Sequence, residues 1–413
     1  MREGWGHHKI DEFCLVTDYV ANGSFASLKE NVQYLDQLDF AMLIRYTDHA
    51  NGWNGRHKYV SESAYKFLRK SSLKPGDLIM ANVGDPGNAF LLPNLGMPTT
   101  LGPNSILIRA EKEITSNEFL HYFFLSLEGR QLIDEISAGA AQRKFNKTSF
   151  RGLTIPLPPL EEQQRIVAVL DEAFEGLARA CAHAEANLQN ARELFENYRE
   201  DFLTPSRRQG WSYKKLDDLI TIKHGFAFKS AFFVAEGQYA VLTPGNYHET
   251  GGFRDRGGKQ RYYSGEFPSE FLLRKGDLLM AMTEQAPGLL GSCMIVPEHE
   301  GYLHNQRLGL ISPKDGVAWS TEYFSQAFNL KAFRKGLSDT CSGATVRHTS
   351  PGRILAESIP YSNDKAELET IAIDLAEREQ DCRTLENAYC EKLQDLEDLR
   401  QSLLQKAFAG ELT

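Results

Sequence analysis

The chain has 413 residues, more than one hydrophobic core usually serves, so two or more domains are expected. Hydrophobic residues make up 42% and charged residues 24%, with 33 Gly and 16 Pro, which excludes disordered, fibrous and collagen-like classes. The formal net charge of -9 is unevenly placed: segments 1–157 and 211–361 carry 0 and +2, whereas 158–210 and 362–413 carry -4 and -7. The acidity therefore says nothing against a polyanionic partner for the two large segments.

In chain order, residues 1–157 read as a mixed α/β domain. Met1 to Ile10 carries charges and histidines where a signal peptide needs an apolar stretch, and no run of 18 apolar residues follows, so a cytoplasmic protein with no membrane partner is expected. A β-like run covers Ser105–Arg109, and one helix-like stretch covers Ser116–Ile136 before a polar loop. Lys74-Pro75-Gly76-Asp77 reads as a turn into a strand rather than as a catalytic carboxylate.

Residues 158–204 read as one long helix. From Leu170, apolar positions recur at Phe174, Leu177, Cys181, Ala184, Leu188, Ala191, Phe195, Tyr198 and Phe202, in alternating steps of 4 and 3. That is a heptad seam. Pro158-Pro159 opens it and Pro205 stops it. Residues 362–413 repeat the pattern from Ile371 through Leu375, Arg378, Cys382, Leu385, Tyr389, Lys392, Leu396, Leu399 and Leu403. A helix of about 40 residues is about 60 Å long. Each exposes a seam that the other can cover, in either direction.

Residues 205–361 repeat the first domain. Leu73 to Ala81 matches Leu273 to Ala281, Phe40-Ala41-Met42-Leu43 matches Tyr239-Ala240-Val241-Leu242, and Gly139-Ala140 with Arg143 matches Gly343-Ala344 with Arg347, the offset drifting only from 199 to 206. The second domain has a strand over Leu278–Met282 and a helix over Thr321–Leu337. The fold class is thus α+β, two mixed α/β domains in tandem duplication separated by two long coiled-coil helices.

The chemistry-bearing motifs are those of binding. GxxxxGK[ST], GxGxxG, HExxH, GxSxG and paired CxxC do not occur; the six cysteines are scattered and His7-His8 has no companion ligands. No catalytic residue, cofactor site or metal site is assigned. Basic residues instead fall at equivalent places in both repeats. Arg56 and Lys58 in the first answer to Arg254, Arg256, Lys259 and Arg261 in the second, Arg143, Lys144 and Lys147 answer to Arg347 and His348, and Arg45 and Asn246 are taken with them. Arg and Lys suit phosphates and guanine edges, and Asn suits adenine, so these thirteen are the candidate DNA contacts.

The segment Pro156-Leu157-Pro158-Pro159-Leu160-Glu161-Glu162-Gln163-Gln164-Arg165-Ile166-Val167, with Gly210-Trp211, Gly225-Phe226-Ala227-Phe228-Lys229-Ser230 and Leu404 to Leu412, resembles the specificity subunit of Type I restriction-modification enzymes. The second helix departs from the pattern, opening with Ile359-Pro360-Tyr361-Ser362. The resemblance implies two target recognition domains, each reading half of a bipartite site in double-stranded DNA, and helices that pair antiparallel as a spacer. It implies two docked methyltransferase subunits, with Glu162, Gln163, Arg165 and Phe408 as docking residues, and motor-nuclease subunits beyond them. S-adenosylmethionine and ATP with Mg are then cofactors of the partners. A modifying enzyme in its own right would need an Asn/Asp-Pro-Pro-aromatic motif, and Asp85-Pro86-Gly87-Asn88 reads as a turn; a scaffold that binds no DNA is the other class, separable by a mobility shift with mixed duplex DNA.

Overall fold

The computed structural model describes residues 4–139, 142–285, 287–298, 301–343 and 345–412; Ala140 and Ala344 of the repeat comparison lie outside them. Two compact units divide the chain, residues 1–185 with 391–413 and residues 186–390. Each contains one globular half and a portion of both long helices, so the units cut across the four segments expected from sequence.

In the first unit an antiparallel sheet runs in the order Cys14–Asp18, Ser105–Ala110, Leu78–Ala81, Ala89–Leu91. A second sheet runs Lys58–Val60, Ala41–Ile44, Thr99–Leu101, Ser72–Leu73, its middle pair parallel. The second unit repeats the first sheet strand for strand, as Ile220–His224, Leu308–Pro313, Leu278–Ala281, Cys293–Ile295, and keeps the parallel pair of the second sheet, Ala240–Leu242 with Tyr302–His304, whose edge strands differ. Two short ribbons recur as well, Gly6–Lys9 with Thr154–Leu157 and Ser212–Lys215 with Ser358–Tyr361. The tandem duplication seen in sequence is therefore one of topology.

The two Gly-Asp turns behave alike. Gly76 and Gly276 take φ of +85° and +88°, which glycine adopts without a Cβ clash, and the following carboxylates accept the Lys74 and Arg274 backbone N–H at 2.7 and 2.8 Å. Asp77 is also gripped by Arg109 through both oxygens, at 2.7 and 2.6 Å, whereas the ladder puts Ser312 at the corresponding place in the second repeat.

The single helix expected over Ser116–Ile136 is two, Asn117–Leu125 and Leu127–Ile136. Ser126 breaks it: its hydroxyl donates to the Phe123 carbonyl and accepts from the Gly129 N–H, and Gly129 sits so close to Phe123 that a Cβ would lie 2.1 Å from its oxygen. The stretch Thr321–Leu337 is likewise split, into Thr321–Ala327 and Lys331–Thr340.

The long helices span Leu160–Phe202 and Lys365–Ala409. Every position of the first heptad seam is at least partly buried. Within the second unit Arg192 meets Glu386 at 3.3 Å while Tyr198 meets Asp374 at 2.6 Å, so numbers rise on one helix as they fall on the other and the pair is antiparallel. In the first unit Ile166 and Leu170 share a core with Leu404 and Phe408.

The second seam is corrected. Its covered track runs Ile371, Leu375, Glu379, Cys382, Glu386, Tyr389, Leu393, Leu396, Arg400, Leu403, so two consecutive steps of four move it one residue on, as a stutter does. Leu385 and Leu399, assigned to the seam by periodicity, are 44% and 47% exposed. Polar residues take the covered places because each finds a partner: Glu379 accepts from Gln326 and Arg383, Glu386 pairs with Arg192, and Arg400 lies over Phe174. Among the described residues, no helix is long and apolar enough to cross a membrane.

Candidate nucleic-acid interface

In the second unit, the chain leaves strand Ala240–Leu242 through a turn at Pro244–Asn246 and returns at Tyr262. Asn246 is completely buried. Its carbonyl oxygen accepts the Thr243 N–H at 3.0 Å and its amide donates to Gln260 Oε1 at 2.8 Å. The side chain thus shapes the loop and has no edge left for a base, a correction to its place among the candidate contacts. The first repeat uses the same device: buried Asp48 accepts the Arg45 N–H at 2.9 Å.

The loop held this way lines one side of a cleft of about 1000 Å3 within the second unit. Arg254, Arg256 and Arg261 reach it from the loop and Arg307 from the turn after Tyr302–His304. Arg254, Arg261 and Arg307 are exposed, and their guanidinium groups have no hydrogen bond or ion pair among the described residues. Arg256 lies over Gly245, near Thr243 Oγ1 at 3.5 Å. Of the acidic lining residues, Glu284 is buried and neutralised: its Oε2 accepts the N–H of Gly288, Leu289 and Leu290 at 3.0, 2.9 and 2.8 Å, and Oε1 faces Arg347 at 3.1 Å. The cleft is consequently basic, in a chain that is acidic overall.

Behind the cleft, His304 is buried and its Nε2 lies 2.9 Å from the Leu308 carbonyl. A carbonyl only accepts, so Nε2 carries the hydrogen. Burial pushes the ring's pKa down to about 4, and it is neutral at physiological pH.

The other candidates divide by what they touch. Arg45 forks onto Asp48 and donates to the Arg56 carbonyl, Lys58 pairs with Asp36, Lys147 with Asp18 and Arg143 with Asp134. Arg347 is a brace: besides Glu284, its guanidinium meets Cys341 Sγ and Ser338. Its burden is internal, which corrects its reading as a DNA contact. His348 is exposed and shares a hydrogen bond with Ser342. Arg56, Lys144 and Lys259 are exposed. The first-unit cleft at the matching edge is smaller, about 490 Å3, with Phe25, Tyr34, Asn82 and Asn104 in its wall.

Three of the docking residues have partners within the fold. Gln163 is buried, accepting from Thr115 at 2.7 Å and donating to the Ile114 and Pro158 carbonyls. Phe408 is 2% exposed and packs edge-on against Phe119 and Phe123. Glu162 accepts from Trp5 Nε1 at 3.2 Å, as Glu367 does from Trp211 Nε1 at 2.8 Å. Glu162 and Gln163 fasten the first half to the start of Leu160–Phe202, Glu367 fastens the second to the start of Lys365–Ala409, and Phe408 fastens the first half to the end of that helix; of the four docking residues, Arg165 is exposed and Glu162 half-buried.

Sequence reasoning missed Arg307, Gln306 and Gln285. The signal was present for the first: the repeat offset carries Asn104 onto Arg307, and in both the backbone carbonyl accepts from the residue that follows the Leu78–Ala81 or Leu278–Ala281 strand.

The fold defines a duplicated α+β protein whose halves are each joined to paired antiparallel helices. Residues 3–179 match the family model of the Type I restriction modification DNA specificity domain. The chain is 25% identical over 432 aligned residues to the Type I restriction enzyme StySPI specificity subunit of Salmonella potsdam, covering all of this chain and 90% of that one. It is 24% identical over 179 residues to the MjaIX specificity subunit of Methanocaldococcus jannaschii, where the match spans only 40% of either protein. Among solved structures, a chain from work on complex assembly and conformational transition of the type I R-M system superposes over 100% of this chain and 99% of that one, with a TM-score of 0.74 at 19% identity. The HsdS subunit of Thermoanaerobacter tengcongensis gives 0.55 at 19% identity, over 100% of this chain and 98% of its own. Residues 3–179 thus carry the match to this DNA specificity domain, and over its whole length the chain is similar to a specificity subunit of a Type I restriction enzyme.

Proposed function

We propose that the chain reads a bipartite sequence in double-stranded DNA, each globular half recognising one part. The observation that carries this reading is the recurrence of a cleft at one topological place in both repeats, open and lined by unpaired arginines in the second. Such arginines supply the phosphate attraction and base hydrogen bonds that DNA recognition requires. The long helices set the gap between the half-sites and dock two methyltransferase subunits, with motor-nuclease subunits completing the restriction assembly. Methyl transfer and translocation, with S-adenosylmethionine and with ATP and Mg, belong to those partners, and this chain contributes selectivity and no bond-making step.

Exchange of residues 1–155 for those of a relative, followed by sequencing of the methylated motif in a host carrying the complex, tests this. One half of the motif should change and the other stay. A motif altered in both halves at once would show that the two halves do not read separately.

A further inference from the structure

The turn joining Tyr302–His304 to Leu308–Pro313 is held unusually fast for a surface loop. Asn305, itself 7% exposed, accepts the Arg307 N–H through Oδ1 at 3.0 Å. The Gln306 N–H donates to the Phe226 carbonyl at 3.0 Å, the Arg307 carbonyl accepts the Met282 N–H at 3.0 Å, and the Leu308 N–H returns to the Asn305 carbonyl at 2.9 Å. His304 closes the turn from beneath, through its bond to Leu308. Yet the side chains of Gln306 and Arg307 are exposed into the cleft and have no polar partner among the described residues. A fixed backbone with free polar side chains is preorganised for recognition, because little ordering cost remains at binding.

The first repeat closes the corresponding turn with a different backbone and different residues. The Gly102 N–H donates to the Ile44 carbonyl at 2.7 Å, and the Asn104 carbonyl accepts the Asn82 N–H at 3.1 Å. Asn104 takes φ of +67°, a conformation asparagine tolerates better than most residues. Its side chain is exposed at the edge of the first-unit cleft and has no polar partner among the described residues. Position 307 of one repeat and position 104 of the other thus hold the same place before the strands Leu308–Pro313 and Ser105–Ala110, and are chemically different.

We propose that Arg307 and Asn104 are paired base-reading residues, Arg307 selecting guanine in one half-site and Asn104 selecting adenine in the other. The inference rests on the DNA-reading function proposed above. A guanidinium donates twice to the N7 and O6 of guanine, while an amide both accepts from N6 and donates to N7 of adenine. Neither arrangement fits the other base.

The test uses the full-length chain in complex with its modification subunits and a pool of randomised 30-base-pair duplexes, with sequencing of the bound fraction. The wild type is compared with Arg307→Gln, Asn104→Gly and Arg254→Ala. Gln retains reach and polarity, and Gly accepts the positive φ, so the turns persist. Arg307→Gln should lower the preference at one G·C pair by roughly ten- to a hundredfold, shift it toward A·T and leave the other half-site intact. Asn104→Gly should relax one A·T pair of the other half-site. Arg254→Ala should weaken all sequences alike. If Arg307→Gln weakens all sequences equally, or changes nothing, Arg307 reads no base and the proposal is overturned while DNA reading stands. A wild-type complex that enriches no sequence removes the functional reading as well.

Discussion

Arg254 and Arg261 can be removed from the second-unit cleft without losing a side-chain hydrogen bond or ion pair among the described residues, because both guanidinium groups are exposed and unpaired there. If they lie against DNA, each neutralises a phosphate and adds about 0.9 to the slope of log affinity against log salt. The double variant Arg254→Ala/Arg261→Ala should then flatten that slope by about 1.8. Between 50 and 200 mM salt, a fourfold change, the wild type should lose about twelvefold more affinity than the variant. Fluorescence anisotropy of a labelled duplex at four or five salt concentrations, with the full-length chain and its modification subunits, measures it. Arg347→Ala is the control: its guanidinium is tied to Glu284 at 3.1 Å. That change should leave the slope alone and destabilise the second unit, since the buried Glu284 carboxylate loses its counter-charge. A double variant with the wild-type slope would refute the assignment of this cleft to DNA, and so would an equal effect from Arg347→Ala.

Two further outcomes concern the scaffold. Asp77→Asn should cost the first unit about 2 kcal/mol and Asp277→Asn under about 0.5, because both amides can still accept the turn N–H while only Arg109 loses its counter-charge; hydrogen exchange in strands Leu78–Ala81 and Leu278–Ala281 reports each unit, and equal losses would sink the argument. His304, held near 4 in the fold against about 6.5 unfolded, stays neutral while the unfolded chain takes up a proton. Its contribution is therefore full above pH 6.5 and is lost as pH falls toward 4, by roughly 2 to 3 kcal/mol at pH 4.5. Denaturant midpoints of the second unit at pH 7.5 and 4.5 should show it, and His304→Gln should lose that part of the pH dependence.

What the sequence alone determined is what local patterning encodes. The two long helices follow from heptad spacing and flanking prolines, the Gly-Asp turns from a glycine that accepts positive φ beside a carboxylate that caps the turn, and the duplication from motifs repeated in order. Each depends on neighbours within a few residues or on self-comparison. The basic loop of the second repeat was legible for the same reason, because Arg254, Arg256 and Arg261 cluster along the chain.

Tertiary structure decided which polar groups are free. Periodicity counts apolar residues, so it assigned Leu385 and Leu399 to the seam, whereas the covered track passes through Glu386 and Arg400, made tolerable there by Arg192 and Phe174 from the other long helix. Asn246, Gln163 and Arg347 have the residue types of binding groups and are consumed by internal partners, some of them dozens of residues away: Gln163 by Thr115, Arg347 by Glu284. Arg307 is the converse, an isolated arginine with no local pattern around it, placed beside Arg254 and Arg261 only because strand Tyr302–His304 runs parallel to Ala240–Leu242. Whether a charged side chain serves the fold or meets a ligand depends on partners that the chain brings together from afar, and such pairings leave no period in the sequence.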